Sequence, residues 1–172
     1  MEPRWLTREQ LAAWVRLVAV VELLPGVLDA QLRHDAGLTH FDYYVLAMLS
    51  EAPDDVLRMT ALAGQTNASL PRLSNVVRRL EDRGLVERSP APEDRRASDV
   101  RLTAAGWRTV QAAAPGHVTT VRERVIDALT DEQVAELTRI ADAILPRLDP
   151  EATMSAVYNR YDGRPGERGS SR

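Results

Sequence analysis

Apolar residues recur at helical spacing along most of the chain. Over residues 8–34 they form one long stretch, opened by Thr7 and Gln10 in a T-x-x-Q capping box, in which side chains satisfy the first free backbone N–H groups. Pro25 falls inside this stretch and lacks an N–H, which predicts a kink or a break near Leu23 and Leu24. Gly37 stops the helix and Thr39 caps the next, residues 40–51, whose buried side is read as Phe41, Tyr44, Val45, Met48 and Leu49. The run Pro53-Asp54-Asp55 closes that helix. Residues 56–59 suit a short extended piece, and residues 60–66 a short helix. Asn67 is the expected N-cap of a helix over residues 68–83, with Pro71 tolerated in its first turn and Gly84 ending it.

The period then changes to two. Residues 85–89 and 98–102 read as strands, the second placing Ser98, Val100 and Leu102 on one face and Asp99 and Arg101 on the other. Between them PAPEDRRA makes a longer-than-minimal hairpin loop. Thr103 caps a further helix, which Pro115 and Gly116 are expected to bend or interrupt before it resumes to Leu129. Thr130 and Gln133 form another capping box and start a helix to about Leu148. Residues 161–172 read as a disordered tail, since no apolar residue follows Asp162.

The expected fold is therefore mainly α with a small β-wing. Residues 37–103 form a winged helix-turn-helix lobe, and residues 1–36 with 104–160 a helical dimerisation lobe. The outer helices carry apolar faces that so small a centre cannot cover, so they need a partner.

Charge sharpens this picture. The net charge of −3 argues against a protein that coats nucleic acid, but the average hides a local excess. Residues 68–101 hold eight arginines against six acids, and residues 69–80 hold three arginines and no acid. A local basic patch is what phosphate contact requires. On a helical wheel Leu70, Leu73, Val77 and Leu80 share one side, while Arg72, Asn75 and Arg79 project from the other, flanked by Arg78. Arginine can bridge guanine O6 and N7, and asparagine can pair with adenine, so this face suits a major groove. The candidate recognition set is Asn67, Ser69, Arg72, Ser74, Asn75, Arg78 and Arg79. The loop after it is stiffened by Pro90 and Pro92 and carries Asp94, Arg95 and Arg96. Such a wing reaches a minor groove, where narrow width attracts arginine, and Asp94 would hold one arginine while the other extends.

These residues together resemble the MarR family of winged-helix regulators. The matching segment is LSNVVRRLEDRGLVERSPAPEDRRASDVRLTAAG, residues 73–106. It joins an R-L-E-x-x-G-L-V helix end (Arg79, Leu80, Glu81, Gly84, Leu85, Val86) to a D-x-R wing (Asp94 to Arg96) and an L-T-x-x-G start (Leu102, Thr103, Gly106). A looser resemblance covers about residues 8–148. It implies an obligate homodimer on double-stranded DNA with a palindromic operator, a repressor released in some members by a small phenolic or aromatic carboxylate. Members that sense oxidants use cysteine, and this chain has none, which also excludes disulfides and thiolate metal sites.

Other chemistry is sparse. His34, His40 and His117 lack metal-ligand spacing, and no Ser-His-Asp arrangement or phosphate loop appears, so neither an enzyme, a metal nor a cofactor is expected. Trp14, Arg16, His40, Tyr43 and Tyr44 are candidates for an effector pocket with aromatic walls and a cation. No signal peptide is read in residues 1–10. The apolar run over residues 11–24, broken by Arg16 and Glu22, is expected to be too short to span a bilayer, giving a soluble cytoplasmic protein with no membrane partner. The alternative reading is a winged-helix protein-interaction module that never touches DNA.

Overall fold

The computed structural model describes residues 3–94 and 96–162. Arg95 and most of the expected disordered tail, residues 163–172, lie outside the described residues.

The first helix, α1 (Arg8–Ala36), starts at the expected Thr7–Gln10 capping box and ends at Gly37, whose φ of 62° is the left-handed value that releases the chain from a helix. It does not break at Pro25. A proline removes one donor and clashes with one carbonyl, and here both effects fall on an exposed turn with Gly26 following, so the helix runs through. At 29 residues it is about 44 Å long. The expectation that its apolar run is too short for a bilayer fails for the same reason. The uninterrupted helix contains an 18-residue window of mean hydropathy 1.9, long and apolar enough to cross a membrane by length and composition.

Helix α2 (His40–Ser50) follows, capped by Thr39, whose partner in a second capping box is Asp42. It buries Asp42, Tyr43, Val45, Leu46, Met48 and Leu49, while Phe41 and Tyr44 are only half-buried at its edge. After a 3-10 turn, strand β1 (Val56–Arg58) leads into α3 (Met59–Gln65). The next helix, α4 (Leu70–Asp82), is capped by Ser69 rather than Asn67. Asn67 instead takes a left-handed φ of 47° in the α3–α4 turn, a conformation that asparagine tolerates better than most residues. Leu70 is exposed at 47%, and Val76 takes its expected place on the buried face with Leu73, Val77 and Leu80.

Strands β2 (Val86–Pro90) and β3 (Ser98–Leu102) form the hairpin, and β1 adds to it, making a three-stranded antiparallel sheet of order β1-β3-β2. Val56 pairs with Arg101 and Val86 with Leu102, and Val100 and Leu102 turn into the core with Leu46, Leu49, Leu62, Leu73, Val77 and Leu80.

Helix α5 (Ala104–Arg124) begins at Thr103 and runs through Pro115 and Gly116 without interruption, packed along α1. Its first turn needs a glycine: a Cβ at Gly106 would lie 2.2 Å from the Leu85 carbonyl oxygen and 2.6 Å from Leu102 Cδ1. The L-T-x-x-G signature is thus a close approach of helix to wing. A 3-10 turn, Ile126–Ala128, replaces the resumed helix, and α6 (Asp131–Leu148) returns from its Thr130–Gln133 capping box.

One element is absent from the sequence reading. The Asp149 carboxylate accepts the Thr153 and Met154 N–H groups, each at 2.9 Å, and turns the chain into α7 (Ser155–Tyr158). Val157 packs against the core, and Arg160 pairs with Glu51 of the winged lobe. Residues around α7 therefore sit on α3, not in the helical lobe to which residues 104–160 were assigned.

Candidate nucleic-acid interface

Helix α4 presents its polar side because its apolar side is fully used. Leu73, Val77 and Leu80 have no exposed surface, which fixes the rotation of the helix and turns Arg72, Asn75, Arg78 and Arg79 outward. These four do not share one environment. Asn75 and Arg78 are exposed, and among the described residues their side chains have no partner. Arg72 lies with its guanidinium 4.2 Å over the Phe41 ring, a cation–π stack that orients it while leaving it exposed. Arg79 donates from Nη2 to Asp42 Oδ1, so this guanidinium is bound to the protein and half-exposed. Ser69 spends its hydroxyl on the Arg72 N–H, at 3.4 Å, as the N-cap. Ser74 is half-buried, and Asn67 is exposed in the preceding turn.

Of the expected wing contacts, any between Asp94 and Arg95 lies outside the described residues, and other groups hold the wing as well. Asp94 accepts the backbone N–H of Arg96 at 2.9 Å, an Asx-type turn that shapes the loop tip. Among the described residues an ion pair from Arg58 to Glu93, at 3.0 Å, anchors the loop, with Arg58 also 3.4 Å from Asp99. These two carboxylates hold the Arg58 guanidinium above its ordinary range. Arg96 is exposed. The base of the wing is tied to α4 by Arg88, whose Nη2 and Nε lie 2.6 and 2.9 Å from Glu81 Oε2 and keep that carboxyl below its usual range. The sequence reading missed Asp42, Arg58 and Arg88, and took Phe41 only as a buried residue and Glu81 only as part of the helix-end motif. The one signal for any of the missed residues was the T-x-x-D spacing of Thr39 and Asp42.

The five candidate pocket residues are not brought together in one chain. His40 N–H donates to Asp29 near the end of α1, at 2.9 Å, whereas Trp14 and Arg16 lie at least thirteen residues earlier on that helix, about 20 Å away. Arg16 bonds its own helix at Ala12, and Trp14 is exposed at 55%. The Tyr44 hydroxyl donates to the Gln65 carbonyl, fastening α2 to α3. What does assemble is His40, Tyr43 and His117, where α2 meets α5: the His117 ring centroid is 6.2 Å from His40 and 4.6 Å from Tyr43. Burial pushes both histidines below their ordinary range, and His40 lowers His117 further. Among the described residues His117 Nδ1 and, on α1 beside Gly116, Gln31 Oε1 are buried without a hydrogen-bond partner.

A helix-turn-helix of α3 and α4 followed by an antiparallel wing is the architecture of winged-helix DNA-binding proteins. The MarR family profile matches residues 36–97, covering α2 through most of the wing. A MarR family transcriptional regulator of Streptomyces coelicolor, Sco3205, solved in complex with DNA, superposes with a TM-score of 0.83 at 42% identity, over 87% of this chain and 93% of that one. AbsC, a second MarR family regulator of that organism, gives 0.82 at 38% identity, over 86% and 99%. The transcriptional repressor Rv2887 of Mycobacterium tuberculosis is 32% identical over 108 residues, 63% of this chain and 76% of its own length. Over three other curated relatives the chain spans 48%, 66% and 54% of their length. The chain belongs to the MarR family of transcriptional regulators.

Proposed function

We propose that the protein is a transcriptional repressor that binds a palindromic DNA operator as a homodimer, in the cytoplasm, and has no enzymatic role. The observation that carries this reading is the outward face of α4, where Asn75 and Arg78 are exposed and unpartnered beside the stacked Arg72. In this reading α4 enters the major groove, with Arg72 and Asn75 on base edges, Arg78 on phosphate, and Arg96 of the wing in the minor groove. The similarity to a DNA-complexed regulator at 42% identity supports it.

The homodimer has its own support. Helix α6 buries none of its residues within the chain, although Leu137, Ile140, Ile144 and Leu148 share one of its faces. The first half of α1 exposes Trp14, Leu17, Val20 and Val21 in the same way. A second copy supplies the cover that two such helices need, and two-fold symmetry then sets two α4 helices one DNA turn apart.

A small aromatic carboxylate is the proposed effector. Because Trp14 and Arg16 stand apart from His40, its proposed seat is the His40, Tyr43 and His117 cluster, whose buried His117 Nδ1 and Gln31 Oε1 offer unused polar atoms. Fluorescence anisotropy on a duplex enriched by the protein from a randomised pool tests the reading. Tight, salt-sensitive binding to the enriched duplex is expected, released by salicylate-type acids, and failure to enrich any sequence would overturn it.

A further inference from the structure

Besides its packing on α3 and β2, the recognition helix meets the segment of residues 37–42, the turn after α1 and the first turn of α2. Three arginines of the α4 segment contact it. Arg72 stacks on Phe41, Arg83 Nη1 donates to the Gly37 carbonyl at 3.2 Å, and Arg79 pairs with Asp42. Asp42 is a different kind of residue from an ordinary surface acid. Its side chain is 3% exposed, and its Oδ2 is already engaged by the Thr39 N–H at 3.0 Å. A carboxylate removed from water in this way requires a cation on its other oxygen, and Arg79 supplies it.

The same segment touches the helical lobe. His40 N–H is bound by Asp29 of α1, and the His40 and Tyr43 rings meet His117 of α5. One short elbow thus links the helices that would form the dimer to the helix that would read the operator.

We propose that Asp42 and Arg79 are positioning residues, a buried-anchor pair that fixes α4 on this elbow, and that Arg79 does not itself read a base. The inference rests on the DNA-binding reading above. A base-reading arginine needs its guanidinium fork free for guanine. Arg79 has one arm committed to Asp42, whereas its neighbours Asn75 and Arg78 carry no such commitment.

The test compares the full-length wild type with Asp42→Asn, Arg79→Gln, Arg79→Lys and the Asp42→Asn/Arg79→Gln double variant. Anisotropy is read on the duplex enriched by the wild type and on a scrambled duplex of the same composition. Asparagine retains an oxygen for the Thr39 N–H but cannot hold a guanidinium as a carboxylate does, so the cap survives while the pair is lost. Asp42→Asn and Arg79→Gln are each expected to lower the preference for the enriched duplex about tenfold, and the double variant no further than the worse single one. Affinity for the scrambled duplex stays within about twofold of wild type for Asp42→Asn, which removes no positive charge. Arg79→Lys keeps an ion pair with Asp42 and retains most of the preference.

A base-reading Arg79 gives the opposite pattern and overturns the proposal: Arg79→Lys fails like Arg79→Gln, while Asp42→Asn keeps or improves preference by freeing the guanidinium. If circular dichroism finds Asp42→Asn unfolded, the two Arg79 variants, altered at a half-exposed position, decide the matter alone. A wild type that enriches no sequence overturns the DNA-binding reading and the role of the pair with it.

Discussion

Arg88 grips Glu81 across seven residues of sequence, with Nη2 2.6 Å and Nε 2.9 Å from one carboxylate oxygen and the Arg88 backbone N–H 3.2 Å from the other. The pair joins the last turn of α4 to the first strand of the wing, so helix and wing approach DNA as one body. Both side chains are about one-third exposed, which limits the contribution of the ion pair to stability. Glu81→Ala is expected to cost about 1 kcal/mol in urea unfolding, with a further loss in DNA affinity as the wing loosens. Unchanged affinity in Glu81→Ala would show that the wing is set by the sheet alone.

The free residues of the interface should separate by role. Arg72→Ala and Asn75→Ala are expected to cost about 1–3 kcal/mol each on the enriched duplex and to relax base preference at one position. Arg78→Ala should weaken binding to all sequences alike and reduce the salt slope by about one. Arg96→Ala should reduce affinity without altering major-groove preference. Competition against single-base variants of the duplex, at three salt concentrations, distinguishes these outcomes.

Most of the local chemistry of the chain was legible, the cap of α4 at Ser69 rather than Asn67 being an exception, and the long-range chemistry was not. Thr7 with Gln10, Thr39, Thr103, and Thr130 with Gln133 cap the helices they were read to cap, since a cap is decided within three residues. The R-L-E-x-x-G-L-V segment was equally visible, and its parts turn out to be mostly structural. Leu80, Leu85 and Val86 are core, Gly84 takes a φ of 70°, and Glu81 serves the wing. The ion pair of Arg79 was invisible in sequence because its partner Asp42 lies 37 residues away. Pro25 was read as a kink or break and Pro115 as a bend or interruption because a local rule counts the lost donor but neither the exposure of the turn nor the packing of α1 along α5. Helix α7 escaped for the same reason: it exists through Asp149 and its seat on α3, not through its own four residues.

Gly106 provides a sharp test of the winged lobe. Alanine there would bring a Cβ within 2.2 Å of a backbone oxygen, and backbone cannot rotate away as a side chain can. Gly106→Ala is expected to destabilise by about 2 kcal/mol or more and to shift α5 away from the wing, lowering both the urea midpoint and the DNA affinity. A midpoint equal to wild type would contradict the packing described.

Dimerisation should depend on faces that the single chain leaves uncovered. Ile140 lies in the middle of the α6 stripe and is 48% exposed. Ile140→Asp places a charge where a second copy would bury it, which costs several kcal/mol in the dimer and almost nothing in a separated chain. Sedimentation at micromolar concentration is expected to find a dimer for the wild type and a monomer or unfolded material for the variant. A folded wild-type monomer at that concentration would remove the homodimer from the proposal.

The histidine cluster makes stability depend on pH with a definite sign. Burial lowers both His40 and His117 from the ordinary value of 6.5, partly opposed at His40 by the Asp29 carboxylate and reinforced at His117 by His40. The unfolded chain therefore takes up protons at these positions before the folded one does. Well above pH 6.5 both states hold neutral rings and the pair contributes no pH dependence. As pH falls below that value the unfolded state binds more protons, so stability declines, and the decline ends once the folded histidines are also protonated. Urea midpoints measured at pH 7.5, 6.5 and 5.5 are expected to fall across the acid step. In the His40→Gln/His117→Gln variant that part of the fall should vanish, leaving the smaller slope of the carboxylates. An identical pH profile in the variant would mean that the two rings are as well solvated in the folded protein as in the unfolded chain, and the effector seat proposed between them would lose its buried polar atoms.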